Sequence, residues 1–368
     1  MARHHPSPGT LHSMAPFAAA AAAAVVFQQI LRAAGIEYCL TQLTMSCYYA
    51  MVVLGLCLLM GHAGQVSLGH GAFFAIGGYT TAFLTTADCS AWASGLPGRA
   101  LVKARVLAEC QDLYGNPAVC VSPAAAFAAG LVLTGVVACV VGYPALRLKG
   151  HYLAMATLGF GLIVNKIAMG TAALGASDGI HGVPPWPLFP GFAISGARAF
   201  RVGNYYLAAM LLLALLLLLR NLVDSRVGRA LQAIHDRETA ANALGIPTAS
   251  YRLRVFVLSA LIAATAGALF THYTGGIGPS EAGAIKSVRY VALAAAGGMA
   301  SLWGVTAASL LLNYLSLRGT FGSFDNAVFG SLLITIVALA PDGPLQSFQG
   351  WIARLRRKHG WKSGESKP

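Results

Sequence analysis

The stretch 38–60 reads YCLTQLTMSCYYAMVVLGLCLLM and carries no charged side chain. A helix that crosses the hydrocarbon core of a bilayer needs about 20 consecutive, largely apolar residues. An unbroken apolar run of this length therefore predicts a membrane-spanning helix. A strand of a membrane barrel would instead alternate apolar and polar side chains over about ten residues.

Similar apolar runs lie on both sides of this stretch. They cover about 15–34, 66–86, 123–143, 152–172, 204–223, 252–274, 284–300, 303–318 and 326–341. The sequence therefore predicts an all-α integral membrane protein, a polytopic helical bundle of about nine or ten transmembrane helices.

The composition supports a membrane protein and excludes other classes. Hydrophobic residues make up 57% of the 368 residues and charged residues 10%, and the mean hydropathy is +0.65. A soluble domain carries roughly 25% charged residues, so this chain cannot cover a soluble surface. These values exclude a soluble enzyme, a disordered protein and a secreted disulfide scaffold.

The basic residues predict the orientation of the chain. The net charge is +13, which in a membrane protein reflects basic cytoplasmic loops rather than binding to nucleic acid. More than half of the Lys and Arg residues are Arg3 or lie in the connection after 143 (Arg147 and Lys149), in 224–254 or in the tail. All four regions reach the same side if ten helices span the membrane.

This orientation gives a domain organisation. We expect an N-terminal arm over 1–14, a transmembrane domain over 15–343 and a basic cytoplasmic tail over 344–368. Within the transmembrane domain, 87–122 is an outer loop insertion. It holds Cys89, Cys110 and Cys120, and one disulfide can form there in an oxidising periplasm.

The inner loop 224–251 has the pattern of an amphipathic helix. Ser225 suits the N-cap, and Gly245 followed by Pro247 suits the C-terminal end. Small residues recur as Ala240-Ala241-x-x-x-Gly245, which would let a partner approach the helix backbone closely. A docking helix and an ordinary cytoplasmic amphipathic helix both fit this pattern.

The segment GHAGQVSLGHG over 61–71 interrupts two apolar runs. Non-helical backbone at membrane depth must be buried in protein or line a watery cavity. We therefore expect Gln65, Ser67 and His70 to line a pathway or pack between helices. Part of this pattern, Gly-x-x-Ser-Leu, recurs at 298–302, as in transporters with two broken helices.

The chain lacks several chemical signatures. No acid lies at the centre of a predicted span, because Glu37, Asp178, Asp224, Glu281, Asp325 and Asp342 all fall at ends or in loops. Coupled carriers usually need intramembrane carboxylates. There is no phosphate-binding GxxxxGK[ST], no HExxH and no cysteine or histidine set with metal spacing. We therefore predict no catalytic residue and no metal site, and expect energy to come from another protein.

Six segments together resemble a known family. They are GQVSLGHGAFFAIGGY at 64–79, LRLKGHYLAMATL at 146–158, SDGIHGVP at 177–184, the stretch 228–246, GGMASLWG at 297–304 and PDG at 341–343. In order and spacing they resemble LivM-type permeases, the membrane subunits of branched-chain amino acid ABC importers. The chain differs from that pattern at Arg289, where the family usually carries Glu, and in its longer outer loop.

The resemblance implies a set of partners. It implies a LivH-like second permease, two cytoplasmic ABC ATPase subunits and a periplasmic binding protein, in a bacterial inner membrane with its lipids. The chain itself would bind no cofactor, because the partner subunits would use the ATP. The substrate would be a branched-chain amino acid or a related small molecule, such as urea, a short amide or an organic acid. A stand-alone channel or carrier is the alternative from another class.

The resemblance also implies roles for residues. The stretch 228–246 would dock into the ATPase, through Gly228, Arg229, Ala230, Asp236, Ala240, Ala241 and Gly245. Polarity, rather than the motif, suggests the translocation path and outer gate: Gln65, Ser67, His70, Tyr79, Ser177 and Asp178.

Overall fold

The structure is a computed structural model that describes residues 10–88, 90, 107–111, 117–148 and 150–339. The described chain contains twelve helices. They are α1 (Thr10–Ala33), α2 (Cys39–Cys57), α3 (His70–Thr86), α4 (Pro123–Ala145), α5 (His151–Gly170), α6 (Arg201–Asp224), α7 (Arg226–Asp236), α8 (Glu238–Ala243), α9 (Thr248–Thr274), α10 (Ala284–Ala296), α11 (Leu302–Leu317) and α12 (Asp325–Leu339). The tail 344–368, Lys149 and most of the loop 87–122 lie outside the described residues.

Short antiparallel strand pairs form within or between some of the connections that link the helices. They are β1 (Leu107–Gln111) with β2 (Pro117–Val121), β3 (Ile180–His181) with β6 (Gly276–Ile277), and β4 (Trp186–Phe189) with β5 (Phe192–Ile194). The β3–β6 pair fastens the loop after α5 to the C-terminal end of α9. The connection between α5 and α6 is therefore partly ordered by strands.

Each of the ten predicted apolar runs contains a helix, which confirms the helical bundle. Six helices of the described chain are long and apolar enough to cross a membrane: 15–33, 39–62, 123–145, 151–170, 198–224 and 248–274. The other four apolar helices, α3, α10, α11 and α12, are shorter. With 13 residues, α10 is about 20 Å long, less than the roughly 30 Å hydrocarbon core.

Helix α2 is the centre of the bundle. Its residues from Tyr48 to Cys57 are almost completely buried. The helix continues through a π-helical turn, Leu58–His62, and then gives way to the glycine-rich break. Because α2 faces other helices on all sides, it explains why the run from 38 to 60 shows no polar face.

Helices α3 and α9 cross at glycines. A Cβ on Gly77 would lie 2.4 Å from the carbonyl oxygen of Ala264, and one on Gly267 would lie 2.0 Å from that of Phe74. Small residues allow the backbones of membrane helices to approach closely. The two glycines therefore allow α3 and α9 to pack in close contact.

The inner loop 224–251 forms two helices, so the prediction of one continuous helix was wrong. Arg237 separates α7 from α8 with an extended backbone, φ −152° and ψ 97°. The predicted ends are confirmed: the Ser225 hydroxyl accepts a hydrogen bond from Val227 N (3.1 Å), and Gly245 has φ +81°. The interruption accompanies an ion pair, Arg252 Nη1 to Glu238 Oε1 at 2.8 Å, that ties α8 to α9.

The first helix begins earlier than the sequence predicted. Helix α1 begins at Thr10, so the expected limit of the arm at residue 14 lies inside a helix, and 1–9 lie outside the described residues.

Cys120 on β2 is disulfide-bonded, which agrees with the disulfide that the sequence allowed in the loop 87–122. Cys89 and the side chain of Cys110 lie outside the described residues.

Candidate functional site

The break after α2 is buried inside the protein. Gln65, Ser67 and His70 are each 1% exposed. Other residues of this chain therefore surround these side chains and separate them from lipid. His70 begins α3, and its Nε2 lies 2.7 Å from the hydroxyl of Ser259 on α9. Neither amide atom of Gln65 has a hydrogen-bond partner among the described residues.

Other hydrogen bonds hold the backbone of the break. The amide of Leu68 donates to the hydroxyl of Thr157 on α5 (3.0 Å), and that of Gly71 donates to Ser287 on α10 (3.3 Å). Polar side chains of neighbouring helices thus replace the hydrogen bonds that a continuous helix would make. The break is consequently a junction of α2, α3, α5, α9 and α10.

The end of α2 and the turn after it contact the segment 298–302, the second copy of Gly-x-x-Ser-Leu. The thiol of Cys57 donates to the carbonyl oxygen of Met299 at 2.9 Å. A Cβ on Gly61 would lie 1.9 Å from that same oxygen, so only glycine allows the approach. The chain just before the first copy of the pattern therefore packs against the second copy.

The predicted coupling residues divide by exposure. Arg229, Asp236, Ala240 and Gly245 are exposed, Ala230 is partly buried, and Gly228 and Ala241 are buried. Gly228 lies in the first turn of α7, directly after α6, and a Cβ there would lie 2.0 Å from the carbonyl oxygen of Val223. Ala241 is 2% exposed and faces the interior of this chain rather than a partner.

Leu244 lies beside these residues, although it is not one of the predicted coupling residues. It is 81% exposed and stands beside Gly245, where the chain leaves α8. The amides of Gly245 and Ile246 donate to Asn242 O (3.0 Å) and Ala241 O (3.1 Å), the paired hydrogen bonds of a Schellman motif. The motif fixes the direction of a large apolar side chain that projects from a short polar segment.

Helix α7 touches the break directly. A Cβ on Gly64, which has φ +64°, would lie 3.1 Å from Nδ1 of His235. Because His235 is in the last turn of α7, the helix that precedes Leu244 packs against the backbone of the break. The helical segment 224–251 and the break are therefore in direct contact and form one connected unit.

Ser177 and Asp178 lie away from this unit. Both are exposed, in the turn between α5 and β3, at the end of the bundle where α9 finishes. Gly175 to Gly179 match G-x-S-x-G, but a nucleophile elbow needs a strand followed by a helix, and here a 3₁₀ turn precedes a short strand. The path candidates thus separate into two groups, with Tyr79 on α3 between them.

Tyr79 borders a cavity. Its side chain is 5% exposed, and its hydroxyl has no hydrogen-bond partner among the described residues. The cavity has a volume of about 460 Å³ and lies between α3, α4 and α5. Apart from Tyr79 and Thr80, its lining side chains are aliphatic or Phe.

An ionic cluster lies in the connection between α9 and α10. Glu281 is 8% exposed, and its Oε1 accepts hydrogen bonds from Lys286 Nζ (2.9 Å) and from the Tyr49 hydroxyl (3.2 Å). The segment Pro279–Ala282 reads as a loop, but it forms a 3₁₀ turn packed against α3 and α5. Lys286 inside an apolar run was the signal that could have indicated a buried acid.

Asp325 also lies in an ion pair rather than free at a helix end. It pairs with Arg289 on α10, whose guanidinium stands 4.2 Å from the centre of the Phe329 ring. Arg289 therefore joins α10 to α12. Among the described residues, no group of three or more His, Cys, Asp or Glu side chains could hold a metal ion.

Comparisons with known proteins agree with this architecture. Residues 38–339 match the family of the branched-chain amino acid transport system permease component. The chain is 30% identical to the high-affinity branched-chain amino acid transport system permease protein LivM of Salmonella typhimurium and to that of Escherichia coli, over 88% of this chain and 72% of each relative. It is 26% identical to the BraD permease protein of Pseudomonas aeruginosa, over 82% of this chain and 93% of the relative.

No solved structure matches the chain significantly. The family match covers nearly all of the described bundle, including the break, the segment 224–251 and the ionic cluster. It fits a multi-pass membrane protein that serves as the permease subunit of an ABC importer. This chain belongs to the family of branched-chain amino acid transport system permease components.

Proposed function

We propose that this chain is one of two permease subunits that carry branched-chain amino acids across a bacterial inner membrane. A LivH-like permease would complete the pathway, and two cytoplasmic ABC ATPase subunits would drive it. A periplasmic binding protein would deliver the substrate. The chain would bind no cofactor and catalyse no reaction of its own.

The contact between α7 and the intramembrane break carries this proposal. An importer needs a surface for the ATPase and a mechanical link from that surface to the path. Leu244 supplies an exposed apolar side chain on a rigid turn. His235, in the helix just before it, touches Gly64, so a displacement of α7 and α8 acts directly on the backbone of the break.

The break can pass such a displacement to the second half of the chain. Cys57 and Gly61 contact Met299 in the segment between α10 and α11. A closing movement of the ATPases would therefore shift both broken segments together. Rigid contacts of this kind transmit motion because packed interiors do not deform continuously.

The names of the relatives support the substrate class. Each is called a branched-chain amino acid permease, and the identity extends along most of both chains. Urea, short amides and organic acids remain the competing substrates, because a binding protein also contributes to selectivity. Transport by the chain alone is the competing mechanism.

Isolation of the complex and measurement of its uptake test the proposal. The chain is expressed with its neighbouring transporter genes, isolated from membranes, and reconstituted in vesicles together with the binding protein. We expect ATPase subunits to copurify, and labelled leucine, isoleucine and valine to accumulate in preference to urea, acetamide or lactate. Selective uptake of urea, acetamide or lactate would contradict the substrate, and isolation without an ATPase would contradict the mechanism.

A further inference from the structure

Glu281 has a carboxylate oxygen without a partner. Its Oε1 receives Lys286 Nζ and the Tyr49 hydroxyl, whereas its Oε2 is buried and has no hydrogen bond among the described residues. A buried polar atom that makes no hydrogen bond costs roughly 1–3 kcal/mol, and more when it is charged. Such an atom requires a binding partner or another explanation.

Two hydroxyl groups without partners lie in the same region. The ring centre of Tyr290 on α10 lies 6.2 Å from that of Tyr49, which donates to Glu281. Tyr79 on α3 packs in one buried cluster with Ala282, the neighbour of Glu281. The hydroxyls of Tyr79 and Tyr290 are buried and make no hydrogen bond among the described residues. The cluster therefore offers one negatively charged hydrogen-bond acceptor and two hydroxyl donors that no other described residue uses.

The cluster is electrically balanced. Glu281 is paired with Lys286, and Asp325 is paired with Arg289 one turn further along α10. A ligand with a net charge would leave a charge uncompensated in the low-dielectric interior, which is costly. A zwitterion adds one charge of each sign and preserves the balance.

An apolar groove, open at the surface of this chain, adjoins the same residues. Tyr79 stands on the wall of the 460 Å³ cavity, with Ala75, Val164 and Ala168 among the other lining residues. The 3₁₀ turn that carries Glu281 contacts α3 and α5, two of the helices that form the cavity. Charged and apolar surfaces therefore meet at Tyr79.

From this arrangement we infer that Glu281, Tyr79 and the adjoining cavity form a binding site within the membrane domain for a zwitterionic α-amino acid with an apolar side chain. Glu281 Oε2 accepts the α-ammonium group, the Tyr79 hydroxyl donates to the α-carboxylate, and the side chain enters the cavity. This site rests on the proposed function and adds the residues by which the permease itself recognises its substrate.

A purely structural ion pair is the alternative explanation. Loss of such a pair would lower the stability of the complex, but it would not change which parts of a ligand matter. The two roles are therefore separated by three probes with one carbon skeleton: leucine, 4-methyl-2-oxopentanoate without the ammonium group, and isopentylamine without the carboxylate.

Equilibrium binding is measured on the membrane complex, which is purified from cells by capturing this chain. No binding protein is added. Glu281→Gln should weaken leucine binding at least about tenfold, the scale of a lost hydrogen bond to a charged group. The variant should bind 4-methyl-2-oxopentanoate at least as tightly as the wild type, because the substitution removes a negative charge near this anion. Glu238→Gln makes the same substitution in the ion pair with Arg252, at 2.8 Å, and should change neither affinity.

Tyr79→Phe serves as a second test because it removes a single oxygen and preserves the packing. It should weaken binding of leucine and of the oxo acid, but not of isopentylamine. Val164→Trp should fill the cavity and weaken leucine binding more than alanine binding. Met169→Trp, on the same helix but outside the cavity lining, should do neither.

The outcomes separate this inference from the proposed function. Unchanged leucine binding in Glu281→Gln and Tyr79→Phe, or equal losses for all three probes, would overturn the site, even if the complex imports leucine. Absence of leucine binding to the wild-type complex would overturn it as well. If the wild-type vesicles import no amino acid at all, the proposed function fails independently.

Discussion

His235, in the last turn of α7, lies against Gly64 in the break between α2 and α3. This contact joins a surface suited to an external partner with a buried, non-helical part of the membrane domain. Gly64 has φ +64°, a conformation that costs a residue with a Cβ roughly 1–2 kcal/mol. Both the conformation and the close neighbour favour glycine at this position.

Gly64→Val should uncouple ATP hydrolysis from uptake. The added side chain must displace His235, because even its Cβ would lie 3.1 Å from the ring. We expect leucine uptake per ATP hydrolysed to fall at least several-fold in vesicles containing the complex. Gly150→Val is the control: it has φ +58° and no neighbour within 4 Å, so it strains the backbone without touching a partner. Equal effects of the two variants would contradict the coupling contact.

Leu244→Asp should prevent the ATPase from docking while the chain folds normally. The side chain is 81% exposed, so the substitution removes no internal contact. We expect the variant to reach the membrane at wild-type levels but to copurify with little ATPase. Leu244→Met should retain the ATPase because it preserves an apolar side chain of similar size. Full retention of ATPase by Leu244→Asp would contradict the docking role.

Ala241→Glu should act differently from Leu244→Asp, although the two residues are close in sequence. Ala241 is 2% exposed, and a buried charge without a partner costs several kcal/mol. We expect a loss of folded protein in detergent, measured by size-exclusion profile and thermal unfolding. Ala240→Glu is the matched control, since Ala240 on the same helix is exposed and should leave the unfolding temperature unchanged.

Gly267→Ala should destabilise the crossing of α3 and α9. The new methyl group would lie 2.0 Å from the carbonyl oxygen of Phe74, so the helices must separate, at a cost of about 1–3 kcal/mol or more. We expect a lower unfolding temperature. Gly159→Ala is a control within another apolar helix, with no neighbour within 4 Å, and should be neutral or stabilising because Ala favours helix.

Arg289→Glu should place two carboxylates together and loosen α12 from α10. Arg289 pairs with Asp325, and loss of a partner from such a pair leaves an uncompensated charge. We expect reduced thermal stability of the variant. The double variant Arg289→Glu with Asp325→Arg should recover much of the loss, because the opposite charges are restored. A double variant no more stable than the single one would contradict the pairing.

Local signals in the sequence were sufficient for much of the fold. Apolar length located all ten helices of the bundle, because the membrane requires long helical runs. Ser225 and Gly245 predicted both ends of the inner helical region, since caps depend on neighbouring backbone groups. The glycines of 61–71 predicted a buried break, and the exposure of Gln65, Ser67 and His70 confirms the burial.

Features that depend on tertiary contacts were not accessible in this way. The interruption at Arg237 accompanies the ion pair between Glu238 and Arg252, which lie 14 positions apart. The inward direction of Ala241 depends on where α8 packs. Glu281 follows a Gly-Pro pair and reads as a loop residue, yet packing of that turn against α3 and α5 buries it.

The ATP dependence of leucine uptake tests the central claim most directly. Vesicles containing the isolated complex and its binding protein are supplied with ATP or with a non-hydrolysable analogue, and labelled leucine inside is measured over time. The structure predicts accumulation against a gradient with ATP, none with the analogue, and none with Leu244→Asp. Leucine flux that proceeds at the same rate without hydrolysis would show that the chain works as a channel or carrier, contrary to this account.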